Sequence, residues 1–203
     1  EVVHLKCSML GKMPGDREDK FANLKLAYAY MCGHPGKKLL FMGQEFGQWN
    51  EWSEKRALDW YLLEDDSHKE LKDFTKACLI LNKKYRCLYE TDYSPEGFRW
   101  INANDKDNSV FSFIRISPDK KRHLLFVFNF TPVERPNHRI GVPVKGKYKL
   151  VLGDDMKNQK KTLTSVRGEC DGYKESLLID LHRYGIAVYE FNGDVNAHKP
   201  TNI

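Results

Sequence analysis

The spacing of apolar and polar residues changes near the middle of the chain. Up to about residue 90 it favours helices and one short apolar run, and after residue 97 it favours short strands between polar turns. The sequence therefore predicts two parts that join near these positions. We assign 1–95 to the first part, 96–195 to an all-β second part and 196–203 to a tail.

Two helices are predicted in the first part. The first spans 16–31, with Asp16 placed to cap the free amides of its first turn. The second begins at Ser67, which forms a capping box with Glu70, and an apolar stripe over 71–88 marks the face that it buries. Both helices are therefore expected to pack against other elements.

Between the helices lies a short apolar run at 37–42, bounded by turn residues. Such a run is typical of a strand buried on both faces, as in parallel sheets that helices cover. One strand cannot form a parallel sheet alone. Either this strand has partners elsewhere in the protein, or the run is not a strand.

Six strands are predicted in the second part, at 98–101, 109–116, 123–130, 148–152, 176–181 and 185–191. They are rich in Phe, Val, Ile and Tyr, and polar turns separate them, which favours an antiparallel sandwich. The strand at 123–130 is apolar on both faces and is expected at the centre. We expect the polar stretch 156–172 to be mobile and the chain from Asn192 onward to fray.

Composition narrows the classes of function. The chain has a net charge of +5 and 41% hydrophobic residues, which fits a globular protein with a solvated basic face. It has no Arg-rich run and no nucleic-acid motif, so we expect no nucleic-acid partner. No apolar run approaches the roughly 18 residues of a membrane span, and no signal-peptide pattern opens the sequence, so we expect no membrane contact.

The cysteines and histidines indicate no cofactor. The five cysteines form no C-x-x-C pair, and their odd number favours a reducing compartment, so we expect a cytoplasmic protein. The seven histidines are scattered, and none pairs with cysteine or carboxylate at ligand spacing. We therefore predict no metal site and no organic cofactor.

Candidate chemistry follows the apolar run. Glu45, Trp49 and Trp52 come after it, at the place where the carboxyl ends of parallel strands hold ligands. A carboxylate bonds sugar hydroxyls and a Trp face stacks on a pyranose ring, so this pattern suits a polysaccharide. A second interpretation stays open, in which these tryptophans and Trp60 are core or interface aromatics and Glu45 pairs with Arg56.

Several long stretches carry a specific resemblance. They are "PGDREDKFANLKLAYAYMCGHPGKKLLFMGQEFGQWNEWSEKRALDW", "GFRWI", "NSVFSFIR", "LLFVFNFTPVERPNHRIGVP" and "KYKLVLGDD". In this order they resemble the last part of the bacterial glycogen branching enzymes, which are 1,4-α-glucan branching enzymes of the α-amylase superfamily. The resemblance runs from Glu1 to about Phe191. It implies an α+β fragment: the last strand and helices of a (β/α)8 barrel, followed by an antiparallel β-sandwich C-terminal domain.

The chemistry that this resemblance implies is a double displacement. A carboxylate nucleophile takes an α-1,4-glucan segment as a covalent intermediate, and a sugar 6-hydroxyl then attacks to form an α-1,6 branch. In the family a His-Asp pair directly precedes the segment that Glu1 to His4 match. The resemblance therefore places none of the catalytic carboxylates in this chain, and we expect the chain alone to be inactive.

The same resemblance implies a set of substrate-binding candidates: Glu1, His4, Glu45, Trp49, Trp52 and Trp60. The expected partners are an α-1,4-glucan polymer and the remaining part of the barrel. Self-association of the fragment, or partial disorder of its first 90 residues, is also expected, because faces meant for the rest of the barrel would be exposed. A noncatalytic glucan-binding module and a related hydrolase of the same superfamily remain alternatives.

The chain departs from the family's usual residues at a few local positions. Family members commonly have an aromatic residue at the position of Glu18 and a proline-rich turn at that of 182–185. We expect these departures to change the edges of the cleft and the turns of the sandwich, not the fold.

Overall fold

The computed structural model describes residues 6–197. Its α-helices are α1 (Met9–Lys12), α2 (Arg17–Gly33) and α3 (Asp66–Lys84). Its strands are β1 (Phe98–Asp105), β2 (Val110–Arg115), β3 (Arg122–Asn129), β4 (Arg135–Val142), β5 (Lys147–Gly153), β6 (Thr162–Thr164), β7 (Val166–Cys170), β8 (Tyr173–Leu181) and β9 (Ile186–Asn192). Short 3₁₀ helices lie in the connections, at Gln44–Phe46, Trp60–Glu64, Arg86–Leu88 and Pro95–Gly97.

Aspartates begin both long helices. Asp16 caps α2 as predicted, since its Oδ1 accepts a hydrogen bond from the Asp19 amide at 2.9 Å. The cap of α3 is Asp65, whose Oδ1 accepts from the Ser67 amide at 2.9 Å. The capping box predicted from Ser67 was wrong, because an aspartate two residues earlier provides the cap. Arg17 also binds the Asp65 carboxylate, at 2.8 Å, and so links the two helices.

The predicted apolar stripe of α3 is its buried face. Its members are at most 9% exposed: Leu71, Phe74, Cys78, Leu81, Tyr85 and Leu88. The helix ends at Lys84, so the last two lie just beyond it. This face packs against α2 and against the larger of the two sheets described below.

The apolar run at 37–42 is not a strand. Leu39 is 76% exposed, and Phe41 and Met42 are exposed as well. A strand needs a neighbour that satisfies its backbone amides and carbonyls, and no segment within 6–197 pairs with this one. The strand prediction therefore fails in this structure for want of a partner, and the barrel remnant that it implied is not confirmed.

The strands form two antiparallel sheets. The larger sheet has the order β1-β2-β3-β9-β5-β6, and the smaller has the order β4-β8-β7. All six predicted strands are present in these sheets with shifted bounds. The antiparallel all-β architecture of the second part is thus confirmed.

The structure adds β4, β6 and β7, which were not predicted. β4 begins with polar and exposed residues, so its sequence lacks the apolar alternation of a strand. β6 and β7 lie within 156–172, so the expectation that this stretch is mobile was wrong. β7 pairs with β8 at an edge of the smaller sheet, where backbone hydrogen bonds order a segment that is mostly polar.

The larger sheet is buried on both faces. One face packs on the smaller sheet, and the other packs on α2 and α3. Strand β3 shows this division: Leu125 and Val127 belong to the first core, and Leu124, Phe126 and Phe128 belong to the second. As predicted, this strand is central and apolar on both sides. Helices and sheet share the second core, and the domain boundary after residue 95 stays a prediction.

Two contacts hold the end of α2 against the sheet. A Cβ at Gly33 would lie 2.6 Å from the Phe126 ring, so this approach requires glycine. Beside it, the buried Arg115 guanidinium donates to the Gly33 carbonyl and to the Asp92 carboxylate, both at 2.7 Å. These bonds fix the point at which the chain leaves α2.

The chain beyond β9 stays packed as far as it is described. Val195 is fully buried in the core between the sheets, and Arg99 Nη1 donates to its carbonyl at 2.7 Å. Arg99 Nη2 also donates to the Asn196 side chain at 2.7 Å. The expected fraying from Asn192 is therefore wrong for this stretch, and 198–203 lie outside the described residues.

Candidate functional site

The structure places four of the six candidates in the connection between α2 and α3. These are Glu45, Trp49, Trp52 and Trp60. Glu1 and His4 lie outside the described residues. We refer to 43–60 as the site loop.

Two glycines in the left-handed conformation shape the start of the site loop. Gly43 has a φ of 84° and Gly47 a φ of 68°, and they bracket the turn that carries Glu45. A Cβ at Gly47 would also lie 2.7 Å from Leu71 of α3. Because only glycine fits this backbone and this space, the two glycines fix the course of the loop around Glu45.

Glu45 is half-buried and has no hydrogen-bond or ion-pair partner among residues 6–197. Arg56, the partner considered above, is exposed and donates instead to the Glu51 carbonyl at 2.6 Å. The pairing of Glu45 with Arg56 is therefore not found. A carboxylate without a partner in this part of the chain can accept hydrogen bonds from a ligand.

Trp49 lies against the core at the first turns of the helices. Its ring is edge-on to Phe21 and to His68, with centroids 6.0 Å away in both cases. It packs on the cluster that α1, α2 and α3 form there. Trp49 thus matches the second interpretation of the tryptophans, that of a packing residue.

Trp52 and Trp60 are less enclosed. The Trp52 ring is edge-on to exposed Phe41, with centroids 5.2 Å apart. Trp60 is 52% exposed and rests at a tilt on Phe46, with centroids 5.1 Å apart. Both rings are therefore accessible from the outside of the site loop.

A small cleft lies beside the site loop. Its walls include Gln44, Asn50, Glu51 and Trp52, and its empty volume is ≈ 300 Å³. Trp52 is the only one of the four described candidates in the wall, so the structure does not bring the candidates into one cleft.

Sequence reasoning missed three side chains that order the site loop. Gln48 is 4% exposed, and its amide joins two parts of the loop by donating to the Asn50 carbonyl at 3.0 Å and accepting from the Asp59 amide at 2.9 Å. Tyr28 and His68 reach the loop from the helices, at the carbonyls of residues 44 and 46. The last two lie on the buried faces of their helices, where no sequence signal distinguishes them from ordinary core residues.

A larger cleft of ≈ 1080 Å³ separates the first turns of α2 and α3 from turns of the sandwich. Its walls are charged and include Arg17, Lys25, Asp155 and His182. Glu18 and Arg183 form an ion pair at its edge, with 2.8 Å between Oε2 and Nη2. Two of the positions at which the resemblance predicts a departure from the family are thus in contact with each other.

His182 forms a close pair with Asp154 in this cleft, with 2.7 Å between Nδ1 and Oδ2. The hydrogen bond that the His182 ring donates to Asp154 raises the pKa of His182 above its usual 6.5, although partial burial opposes the rise. The other Asp154 oxygen accepts from the Ile186 amide at 2.6 Å. The pair therefore fastens the turn before β9 to the end of β5.

Residues 6–197 hold no group of three or more side chains that could bind a metal ion. No helix of this part is both long and apolar enough to cross a bilayer. All five cysteines are free thiols, and three of them are buried.

Comparison with protein families identifies the sheets. Residues 100–192 match the family model described as "Alpha amylase, C-terminal all-beta domain". The match runs from the third residue of β1 to the end of β9. It covers both sheets of the sandwich.

Curated relatives match the helices as well. The chain is 48% identical over 198 residues to a 1,4-alpha-glucan branching enzyme GlgB of Butyrivibrio fibrisolvens, a match that covers 94% of this chain and 31% of the relative. Proteins of the same name from Aquifex aeolicus and Bacillus cereus (strain AH187) are 48% and 41% identical, over 77% and 93% of this chain and 25% and 30% of the relatives. The chain thus spans less than a third of the length of these relatives.

Solved structures share the fold at low identity. Ttha1563 of Thermus thermophilus aligns with a TM-score of 0.59 at 19% identity, over 85% of this chain and 32% of that chain. A mutant trehalulose synthase aligns with a TM-score of 0.56 at 12% identity, over 93% and 42%. The likeness shows the fold alone.

Proposed function

We infer that this chain, which belongs to the bacterial 1,4-α-glucan branching enzymes, is part of an enzyme that cuts an α-1,4-glucan segment and transfers it to a sugar 6-hydroxyl. The observation that carries this proposal is the 48% identity over 94% of the chain to a relative of that name. The identity extends over the helices, the site loop and both sheets. The product is an α-1,6 branch.

The chain contributes one part of this reaction. It spans 31% of the length of the Butyrivibrio fibrisolvens relative, and the family resemblance assigns none of the catalytic carboxylates to it. A double displacement needs a nucleophile and a proton donor that act together. Transfer is therefore expected from a protein of the relatives' length and not from these 203 residues alone.

The site loop contributes to the glucan-binding surface in this proposal. Glu45 has a carboxylate without a partner among residues 6–197 that suits sugar hydroxyls, and Trp52 and Trp60 have accessible rings for pyranose rings. Trp49 supports the loop by packing beneath it. Glu1 and His4 join this surface on the strength of the resemblance.

The exposed apolar run is, in the same proposal, the last strand of a barrel that the rest of the protein completes. Its support is the exposed apolar surface of the run itself, formed by Leu39, Phe41 and Met42. Such a surface is unusual on a monomer in water and favours a partner. The 203-residue chain is expected to self-associate through it. Light scattering that shows a monomer at every concentration would contradict this.

The proposed partner is an α-1,4-glucan polymer, and the proposed location is the cytoplasm. The partner follows from the names of the relatives. The location is supported by the five free thiols, which suit a reducing compartment.

The function is tested on linear amylose. The 203-residue chain and the product of the complete reading frame that contains it are incubated with the polymer, and new α-1,6 linkages are counted by debranching. We expect that only the product of the complete reading frame forms branches. Branching by the 203-residue chain would show catalytic groups within it. Hydrolysis without branching would favour a related hydrolase, and glucan binding without any reaction would favour a noncatalytic module.

A further inference from the structure

Buried side chains bond the two carbonyl groups that flank Glu45. The Tyr28 hydroxyl on α2 donates to the Gln44 carbonyl at 2.7 Å, and the His68 ring on α3 donates through Nδ1 to the Phe46 carbonyl at 2.8 Å. Tyr28 is 5% exposed and His68 is 1% exposed. The two tethers thus come from different helices and attach on both sides of one residue.

The chemistry of the tethers fixes their protons. A carbonyl only accepts hydrogen bonds, so the proton of His68 lies on Nδ1, and its buried Nε2 has no partner among residues 6–197. Burial raises the pKa of Tyr28, and the Glu45 carboxylate acts in the same direction, so the hydroxyl keeps its proton. Phe21 stands edge-on to the His68 ring, with centroids 4.8 Å apart, and holds its orientation.

The tethers leave Glu45 little backbone freedom. Its neighbours on both sides are bonded through their carbonyls, and the turn lies between glycines that fix its course. The Glu45 carboxylate has no described partner, so a ligand would displace no internal hydrogen bond. A group that the backbone orients in this way is pre-organised for binding.

We propose that Tyr28 and His68 are positioning residues that hold the Glu45 carboxylate in place to accept hydrogen bonds from glucan hydroxyls. This inference rests on the proposed function, in which Glu45 faces the glucan. A misplacement of about 1 Å at a reaction site can cost about a hundredfold in rate. We therefore expect the loss of one tether to lower kcat/KM for branching by about tenfold and the loss of both by about a hundredfold.

The Tyr28 tether has a matched control on the same helix. In the complete reading frame, Tyr28→Phe removes one hydroxyl, keeps the ring and is expected to lower kcat/KM by about tenfold. Tyr30→Phe is the control, because the Tyr30 hydroxyl has no hydrogen-bond partner among the described residues, and it should leave kcat/KM unchanged. An equal effect of both variants would overturn the proposal.

The His68 tether is tested by rescue. His68→Leu removes the donor, whereas His68→Asn keeps an N–H donor near the position of Nδ1. We expect the asparagine variant to regain most of the kcat/KM that the leucine variant loses, and equal losses would overturn the proposal. Should His68→Leu fail to fold, hydrogen exchange in the 203-residue chain decides: the amides of 44–48 must exchange faster in Tyr28→Phe than in Tyr30→Phe.

A double-mutant cycle with Glu45→Gln separates this inference from the proposed function. Positioning through Glu45 predicts that Tyr28→Phe costs about tenfold in the wild type and almost nothing when Glu45→Gln is already present. The same cost in both backgrounds would overturn the inference and leave Glu45 its role in binding. A Glu45→Gln protein with unchanged kcat/KM would overturn both the inference and the role of Glu45 in binding.

Discussion

The sandwich and the exposed run at 37–42 differ in what happens to their apolar side chains. Strands β3 and β9 bury nearly all of theirs, and each has a neighbouring strand on both sides. Leu39 in the run is 76% exposed, although its neighbours in sequence are as apolar as those of a central strand. The difference lies in the partners, because β3 finds them within the chain and the run finds none among residues 6–197.

An apolar run therefore predicts burial only where the same chain supplies the surface that covers it. The sandwich and the helix faces that pack on it meet this condition in the described residues. The run does not, and the stability of the 203-residue chain should hardly depend on it. Four predictions test this contrast, from the largest expected effect to the smallest.

The largest loss should come from the buried ion pair between Arg115 of β2 and Asp92, beside the end of α2. The side chains of Arg115 and Asp92 are 0% and 7% exposed. Arg115→Met leaves the Asp92 carboxylate buried without its partner, which should lower the free energy of unfolding by about 3 to 5 kcal/mol. Urea unfolding followed by circular dichroism measures the change.

The matched control is an exposed arginine. Arg86→Met removes an ion pair with Glu90 that lies on the surface, and it should change the unfolding midpoint little. Equal midpoints for the two variants would show that the buried pair does not stabilise the junction of helix and sheet.

The second prediction contrasts two leucines directly. Leu124 is fully buried in β3, and Leu124→Ala should lower the free energy of unfolding by about 2 to 5 kcal/mol. Leu39 is exposed, and Leu39→Ala should change the free energy of unfolding by less than about 0.5 kcal/mol. A loss of several kcal/mol in the Leu39 variant would mean that the run is covered in solution. Stability is measured at low protein concentration, so that self-association does not bury the run.

Local signals explain which elements could be predicted. Asp16 caps α2 because an aspartate before an apolar helix bonds the first free amides, and this needs no information from elsewhere. The buried stripe of α3 and the two-sided apolar strand β3 follow from periodicity in the same way. Each of these patterns is read within one segment, and its partner surface lies in the same chain.

The features that the sequence did not predict depend on contacts with other segments of the chain. β7 is mostly polar, and only its pairing with β8 makes it a strand. Glu45 was named as a candidate from the sequence, but the hydrogen bonds of Tyr28 and His68 to its flanking carbonyls exist only after three segments come together. Sequence alone therefore found the candidate carboxylate and could not find what orients it.

The third prediction concerns the caps of the helices that carry the tethers. Asp16→Ala removes the cap of α2 and should lower the free energy of unfolding by about 1 kcal/mol. Ser67→Ala is the control, because the structure assigns the cap of α3 to Asp65, and its effect should stay within about 0.5 kcal/mol. A larger loss for Ser67→Ala than for Asp16→Ala would restore the capping box as the start of α3.

The smallest expected effect is a pH dependence of stability that arises from a histidine in the sandwich. The Asp154 carboxylate raises the pKa of His182 above 6.5 in the folded state, with Asp155 and Glu134 acting in the same direction. Folding therefore favours the protonated ring, so this stability is fully present below the unfolded pKa near 6.5 and is lost as pH rises through the higher folded pKa. The wild type should exceed His182→Gln in stability most at pH values below 6.5.

The wild type has to be compared with His182→Gln because His123 changes the pH dependence of stability in the opposite direction. Burial lowers the pKa of His123, so its contribution is present above the unfolded pKa near 6.5 and is lost as pH falls below it. The wild-type curve alone mixes His182 with His123 and with His138, whose pKa burial also lowers, whereas the difference between wild type and His182→Gln cancels the contributions of both. A difference that grows with rising pH would contradict the raised pKa of His182. If His182→Gln also changed the fluorescence of the site-loop tryptophans, the effect of the His182 pair would not be confined to the sandwich.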